Sequence, residues 1–178
     1  MAICARHADQ VKEAVSELEA LGIKATGGSV DITDGAALKA WIKAAGDELG
    51  GIDILISNAG AMAQGNDPDA WKKNFELDVL GAVNAFDAAS SFLTKAAKAN
   101  GVNTVSPGMV YFEGGIWHMV ETNQPEFFKQ ANSRNPMGRC ATPQEIANAA
   151  VFLASPLSSY TTGANLIVDG AVSNRVNF

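Results

Sequence analysis

Residues that cross-link a chain or grip a metal are scarce here. There are two cysteines, Cys4 and Cys140, and two histidines, His7 and His118, none grouped with carboxylates at ligand spacing. That argues against a disulfide framework. The cysteines read as free thiols in a reducing compartment, and no metal is expected. Positive charge is also short: 13 Lys and Arg stand against 19 Asp and Glu, a net charge of -6. An acidic surface disfavours phosphate backbones, so no nucleic-acid partner is expected. No apolar stretch is long enough to span a membrane, and the first residues lack a basic region leading into an apolar one. The expectation is a cytoplasmic protein without membrane contact. What the chain does have is apolar content, 47% of 178 residues, enough for the core of one ordinary domain.

Apolar patterning alternates between two periods along the chain. Short buried-strand runs are expected at Ala2–Ala5, near Ala25–Val30, at Ile52–Ser57, at Val102–Val105 and at Leu166–Val168. Between them lie helical stretches. Asp9 is expected to cap the first, with Val11, Val15, Leu18 and Leu21 on one face and Gly22 as its stop. Asp34 caps the second, with Leu38, Trp41, Ile42, Ala45 and Leu49 in its stripe and Gly50-Gly51 ending it. A long third helix starts at Pro68 and runs to about Ala99, with Trp71, Phe75, Val79, Ala82, Val83 and Phe86 expected inward. Residues 109–141 show no clean period and read as an irregular excursion. Thr142-Pro143-Gln144-Glu145 is a strong helix start, with a cap, a proline at the first position and a capping box. Strands alternating with helices predict one α/β domain over 1–178, a Rossmann-type doubly wound parallel sheet with helices on both faces.

In such sheets ligands bind at the carboxyl ends of the strands. The residues there are Arg6-His7, Asp31-Ile32, Asn58-Ala59-Gly60 and Pro107-Gly108. With DILISNAG at 53–60, VNTVSPG at 102–108, RCATPQE at 139–145 and TTGANLIVDG at 161–170, the chain resembles the short-chain dehydrogenase/reductase family, in its 3-oxoacyl-reductase-like subgroup. The resemblance covers nearly the whole chain. It implies an oxidoreductase that moves a hydride between a nicotinamide cofactor and a carbonyl/alcohol carbon of a small molecule. It implies that Asn58, Ala59 and Gly60 lie under the adenosine ribose, where small residues let backbone approach a ligand. Asp31 and Ile32 resemble the pair that holds the adenine; a helix-capping role for Asp31 can coexist with that one. Pro107 and Gly108 resemble the turn beside the nicotinamide, with Met109 and Val110 next along the cofactor. Arg6 is a base, with no acid nearby, where NAD-preferring members carry an acid on the ribose hydroxyls. A guanidinium fork there suits a 2′-phosphate, so NADP is expected over NAD. Tyr111 and Trp117, in the excursion, are candidates to line the substrate pocket. The family assembles as homo-oligomers, dimers or tetramers, so the long helix and the strand at Leu166–Val168 are candidate interface elements.

Measured against that family, two segments are absent. There is no G-x-x-x-G-x-G, the turn that lets a pyrophosphate meet a helix N-terminus. There is no Tyr-x-x-x-Lys: Tyr111 is followed four residues on by Gly115, and Tyr160 by Ala164. The resemblance assigns that tyrosine the acid/base role, the lysine the lowering of its pKa, and a serine the orientation of the substrate oxygen. Where these should lie, the chain passes from Phe92-Leu93-Thr94-Lys95 to Gly101-Val102-Asn103 directly. Asp78 stands where the family places an asparagine of the proton relay; an ionised Asp accepts hydrogen bonds but does not donate them. The chain is therefore expected to hold cofactor contacts but to be inactive alone. The alternative is a catalytically inactive nucleotide-binding or oligomerisation module.

Overall fold

The computed structural model describes residues 1–60, 65–96 and 101–173. The chain forms two compact units, Met1–Ala99 and Asn100–Phe178, where the sequence pattern predicts one domain.

The first unit opens with β1 (Ala2–Ala5), α1 (Ala8–Ala20) and β2 (Thr26–Ser29), a parallel strand pair joined by a helix. Two glycines let both faces of β2 be covered closely. A Cβ on Gly27 would lie 2.5 Å from Cγ1 of Val11 on α1, and one on Gly28 would collide with the indole of Trp41. Successive strand residues point to opposite faces, so α1 packs on one side and Trp41's helix on the other. That helix, α2 (Gly35–Leu49), starts as expected: the Asp34 carboxylate accepts from the N–H groups of Ala36 and Ala37, each at 3.0 Å, and Gly50 ends it in the left-handed conformation. The start of α1 differs from expectation. His7 is its N-cap, without a side-chain cap bond, and Asp9 falls inside the first turn, where its charge suits the helix dipole.

The long helix expected from Pro68 is three segments: α3 (Pro68–Asn74), a π-helical stretch over Phe75–Leu80, and α4 (Gly81–Lys95); its expected residues beyond position 96 lie outside the described ones. Its buried face also differs from the expected one. Gly81, Ala85 and Ala89 are buried, whereas Trp71, Phe75, Val79, Val83 and Phe86 are exposed. The reason is steric. α4 packs along α2, and small side chains let the two approach; the core is Val30, Leu38, Ile42, Ala85 and Ala89, rimmed by Ile32, Trp41, Ile52 and Leu55.

Ile52–Ser57, expected as a strand, makes no strand pairing among the described residues, and Ile54 and Ile56 are exposed at 55% and 62%. A strand exists only with a neighbour to complete its ladder. Among the described residues no strand lies beside this run to bond it.

In the second unit β3 (Thr104–Pro107) pairs in parallel with β4 (Asn165–Val168). β3 begins two residues later than predicted and runs through Pro107. Residues 109–141 are more regular than expected: α5 (Ile116–Asn123) and α6 (Pro125–Arg134) occupy them. Proline at the first position of α6 satisfies the helix start, and eight- and ten-residue helices are too short to show a periodicity against their polar flanks. α7 (Pro143–Ala154) carries the full capping box between Thr142 and Glu145, and Leu153 is its buried residue.

Candidate nucleotide and substrate sites

Each unit holds part of the predicted site. In the first, Arg6 lies in the bend after β1, exposed, its carbonyl accepting from Ser29 Oγ at 2.9 Å. Asp31 follows β2. Its carboxylate accepts from the Thr33 N–H at 3.0 Å and the Thr33 hydroxyl at 2.7 Å. These bonds to Thr33, with the Arg6 charge adding to them, hold its pKa below the usual carboxylate value. Asp31 is thus an ionised acceptor at the surface, in the field of a cation. The side chain of Ile32 is half-buried against the core, and a Cβ on Gly81 would lie 2.6 Å from its Cδ1.

Asn58-Ala59-Gly60 is exposed and belongs to no regular element. A Cβ built on Gly60 would sit 3.8 Å from Oδ1 of Asp78, so the π-helical stretch brings the Asp78 carboxylate beside it. Single π turns inside helices commonly mark functional positions. Residues 61–64, which follow, lie outside the described ones.

In the second unit Gly108 donates its N–H to Val168 at 3.0 Å, and a Cβ there would lie 2.6 Å from Cα of Asp169. Strand packing alone therefore demands glycine at this position, with or without a ligand. Met109 and Val110 are tied to the far end of the excursion: Ala141 N donates to Met109 O at 2.8 Å, Tyr111 N to Ala141 O at 2.9 Å, and Val110 bridges Ala141. This closes 109–141 into a loop of two helices over a narrow base.

Tyr111 and Trp117 lie on the two sides of one aromatic cluster, each against Phe128. Trp117 stacks on Phe127, centroids 6.4 Å apart and planes 9° apart, inside an aromatic cluster with Phe128. Tyr111 lines a groove of about 710 Å³ with Glu121, Phe128, Asn132, Arg139 and Cys140. Its hydroxyl donates to Glu121 Oε2 at 2.5 Å, and this bond, followed by desolvation and the carboxylate's charge, raises its pKa. That is the opposite of what an acid/base tyrosine beside a lysine requires. Tyr160 is fully exposed. Neither tyrosine has the surroundings of the missing one.

Arg139 is half-exposed and makes three bonds. Its guanidinium donates to Glu145 Oε2 at 2.8 Å, to Oε1 at 2.6 Å and to Cys140 O at 3.0 Å. Glu145 is held down to about 2, first by Arg139 and then by the Thr142 N–H. Cys140 is buried, and burial followed by the Glu121 charge pushes its thiol up. The thiol donates to Asn132 Oδ1 at 3.5 Å. Glu121 and Asn132 belong to no motif that the sequence reading used. Among the described residues no cluster of three or more metal-ligating side chains occurs, and no helix is long and apolar enough to cross a membrane.

Comparison with known proteins agrees with the motifs. The pattern of the family described as short chain dehydrogenase matches residues 1–115, and that described as enoyl-(acyl carrier protein) reductase matches 96–173. Isoepoxydon dehydrogenase of Penicillium expansum is 29% identical over 198 residues, covering 87% of this chain and 76% of that protein. L-2,3-butanediol dehydrogenase of Corynebacterium glutamicum is 28% identical over 219 residues, covering 92% and 84%. Both alignments are longer than the chain's 178 residues, so both relatives carry residues inside the matched span that have no counterpart here. The crystal structure of a gluconate 5-dehydrogenase from Burkholderia cenocepacia, in complex with NADP and tartrate, matches with a TM-score of 0.83 at 21% identity, covering 98% of this chain and 86% of that one. The fold is thus the Rossmann-type α/β fold, incomplete in this chain. By sequence pattern, relatives and fold together, the chain belongs to the short-chain dehydrogenase/reductase family of oxidoreductases.

Proposed function

We propose that the chain serves NADP(H)-linked hydride transfer to or from a carbonyl/alcohol carbon, and that its own residues supply the adenosine end of the cofactor site. The observation that carries this is the grouping within the first unit. Arg6 follows β1 as an exposed guanidinium, Asp31 follows β2 as an ionised acceptor, and the small residues Asn58-Ala59-Gly60 end with Gly60 beside Asp78. The guanidinium would hold the 2′-phosphate through charge-assisted bonds, and Asp31 would accept the adenine's exocyclic amine, with Ile32 beside it. Pro107, Gly108, Met109 and Val110 would border the nicotinamide, and Tyr111 and Trp117 the substrate side. Solved structures of the same fold include NADPH or NADP complexes and an NADH complex, which supports a nicotinamide cofactor; the choice of NADP rests on Arg6. When bound, the nicotinamide carries the hydride; the protein's part is to hold and orient it.

The adenosine end fits the residues present, and these 178 residues include no glycine-rich turn of the kind that holds a pyrophosphate. Nor does either tyrosine have the setting for proton transfer. A second reading, carried by that absence, is a nucleotide-binding or assembly module that does not turn over, forming a homo-oligomer through its exposed helix face. The test is cofactor fluorescence with protein of intact mass 18.5 kDa. NADPH is expected to bind about tenfold or more tightly than NADH, as one charge-assisted contact would give. Arg6→Ala is expected to erase the difference, with no NADPH consumed on a ketone. Failure to bind NADPH overturns the proposal; turnover by this chain overturns the second reading.

A further inference from the structure

α5 begins without the usual support. It has eight residues, none of them buried, and its N-cap is Gly115, which has no side chain to offer. An isolated helix this short is marginal in water, so the bonds at its ends decide whether its first turn forms. One side chain reaches back across that end. The Nδ1 atom of His118 accepts from the Gly114 N–H at 2.9 Å. His118 is the third residue of the helix, the position from which a Glu or Gln closes a capping box. The turn it holds is tight: Gly115 N donates to Phe112 O at 3.0 Å, and Gly114 has a φ of +77°. The imidazole edge also meets the Tyr111 ring, with centroids 6.0 Å apart.

We propose that His118 is a pH-operated latch on the entry to α5, closed with a neutral imidazole and open with an imidazolium. An imidazole nitrogen accepts only while it carries no proton. The bond to Gly114 therefore requires a neutral His118 with its proton on Nε2. Protonation turns Nδ1 into a donor facing another donor, and it puts a positive charge at the positive end of the helix dipole. Both effects act against the first turn. The opposing pull is from carboxylates: Glu113 and Glu121 on the same segment, the latter already accepting from Tyr111. α6, packed against α5, adds Glu126, Lys129 and Arg134, of mixed sign. Glu113 and Glu121 are exposed. Exposed pairs contribute little, and a cation placed before its carboxylate along a helix is the weaker order. Among the described residues none of these groups makes an ion pair with His118. Loss of the cap therefore outweighs the pair. The opening is local. Met109 O and Tyr111 N are tied to Ala141 by backbone bonds, which do not titrate, so the base of the loop stays shut. The first turn of α5 comes free with Trp117 in it, and Trp117 leaves its stack on Phe127. Acidity then sets how much of this aromatic cluster meets solvent, whatever cofactor the chain binds.

The test is NMR of the full chain between about pH 8 and pH 5, the interval in which an imidazole changes charge. At the upper end the His118 ring is expected as the Nε2–H tautomer. On acidification the Gly114 amide is expected to lose its bonded shift. The unwound population of 116–119 is expected to rise about tenfold, as loss of a helix cap gives, while the Tyr111 and Ala141 amides stay unchanged. His118→Asn places an acceptor that does not titrate where Nδ1 stands, and its first turn should stay closed throughout. His118→Ala should be open at both ends of the interval; should it fail to fold by circular dichroism, the comparison with His118→Asn decides. His7 stands at the start of α1 in the first unit, so its titration is read at different amides. Three results each overturn the latch: a proton on Nδ1 at the upper end, an α5 start that is the same at both ends, or a His118→Asn variant that opens as the unaltered chain does.

Discussion

Two expected strands of the first unit had opposite outcomes. Thr26–Ser29 contains two glycines in four residues and is a paired strand. Ile52–Ser57 contains three isoleucines and a leucine, far better strand formers, and pairs with nothing among the described residues. β2 has β1 beside it and a helix close on each face. Ile52–Ser57 touches the core only through Ile52 and Leu55 and turns Ile54 and Ile56 outward. Strand propensity is therefore a statement about fit to a half-buried surface, and without a neighbouring strand it decides nothing.

Backbone hydrogen exchange probes that contrast most sharply. The amide of Thr26 donates to Met1 and that of Val30 to Ala5, at 2.9 and 3.0 Å. They are expected to exchange at least about a hundredfold more slowly than the amides of 52–57, which have no ladder to open. Protection of 52–57 equal to that of β2 would mean the run acquires a strand partner in solution, from a second copy of the chain, and the comparison would collapse.

Substitution gives the next effect. In Gly28→Val the new side chain meets the Trp41 indole, so α2 must retreat or the indole must turn. Overpacking of this kind costs roughly 1–3 kcal/mol in denaturant melts. Ile54→Thr, in the run with the stronger β pattern, is expected to change stability by less than about 0.5 kcal/mol, because the side chain is already in water. If the two variants exchange ranks, the glycine strand is not the one that organises this unit.

What was legible in the sequence follows the same division. Features set by a few adjacent residues could be read: the Asp34 cap, the Gly50 stop and the Thr142 capping box. Features set by distant neighbours could not. The stretch from Pro68 has apolar residues on more than one side, so its pattern alone does not choose a face. Its packing against α2 chose the small residues Gly81, Ala85 and Ala89 over the aromatics. The excursion hid two helices because each is about two or three turns long. Glu121 and Asn132 belong to no motif; they come together only because α5 and α6 fold against the turn at Arg139–Cys140.

The smallest effect tests the local side of the contrast. If α7 owes its start to adjacent residues, Thr142→Ala should cost about 1 kcal/mol, the usual value of a helix N-cap, without disturbing the first unit. Glu145 adds a pH signature. Its carboxyl is held down to about 2 by Arg139 and the Thr142 N–H. A carboxyl whose folded pKa lies below its unfolded value, near 4.3, favours the folded state when ionised. Its contribution is complete above about pH 4.3 and fades as the pH falls toward 2. Glu145→Gln should flatten the stability profile across that window and leave stability at pH 1.5 nearly unchanged. An acid profile that is the same in both proteins would show that Asp31, Asp67 and Asp169, whose pKa values are also lowered by backbone and hydroxyl donors, govern the acid limb. The box at Thr142 would then be geometry without energetic consequence.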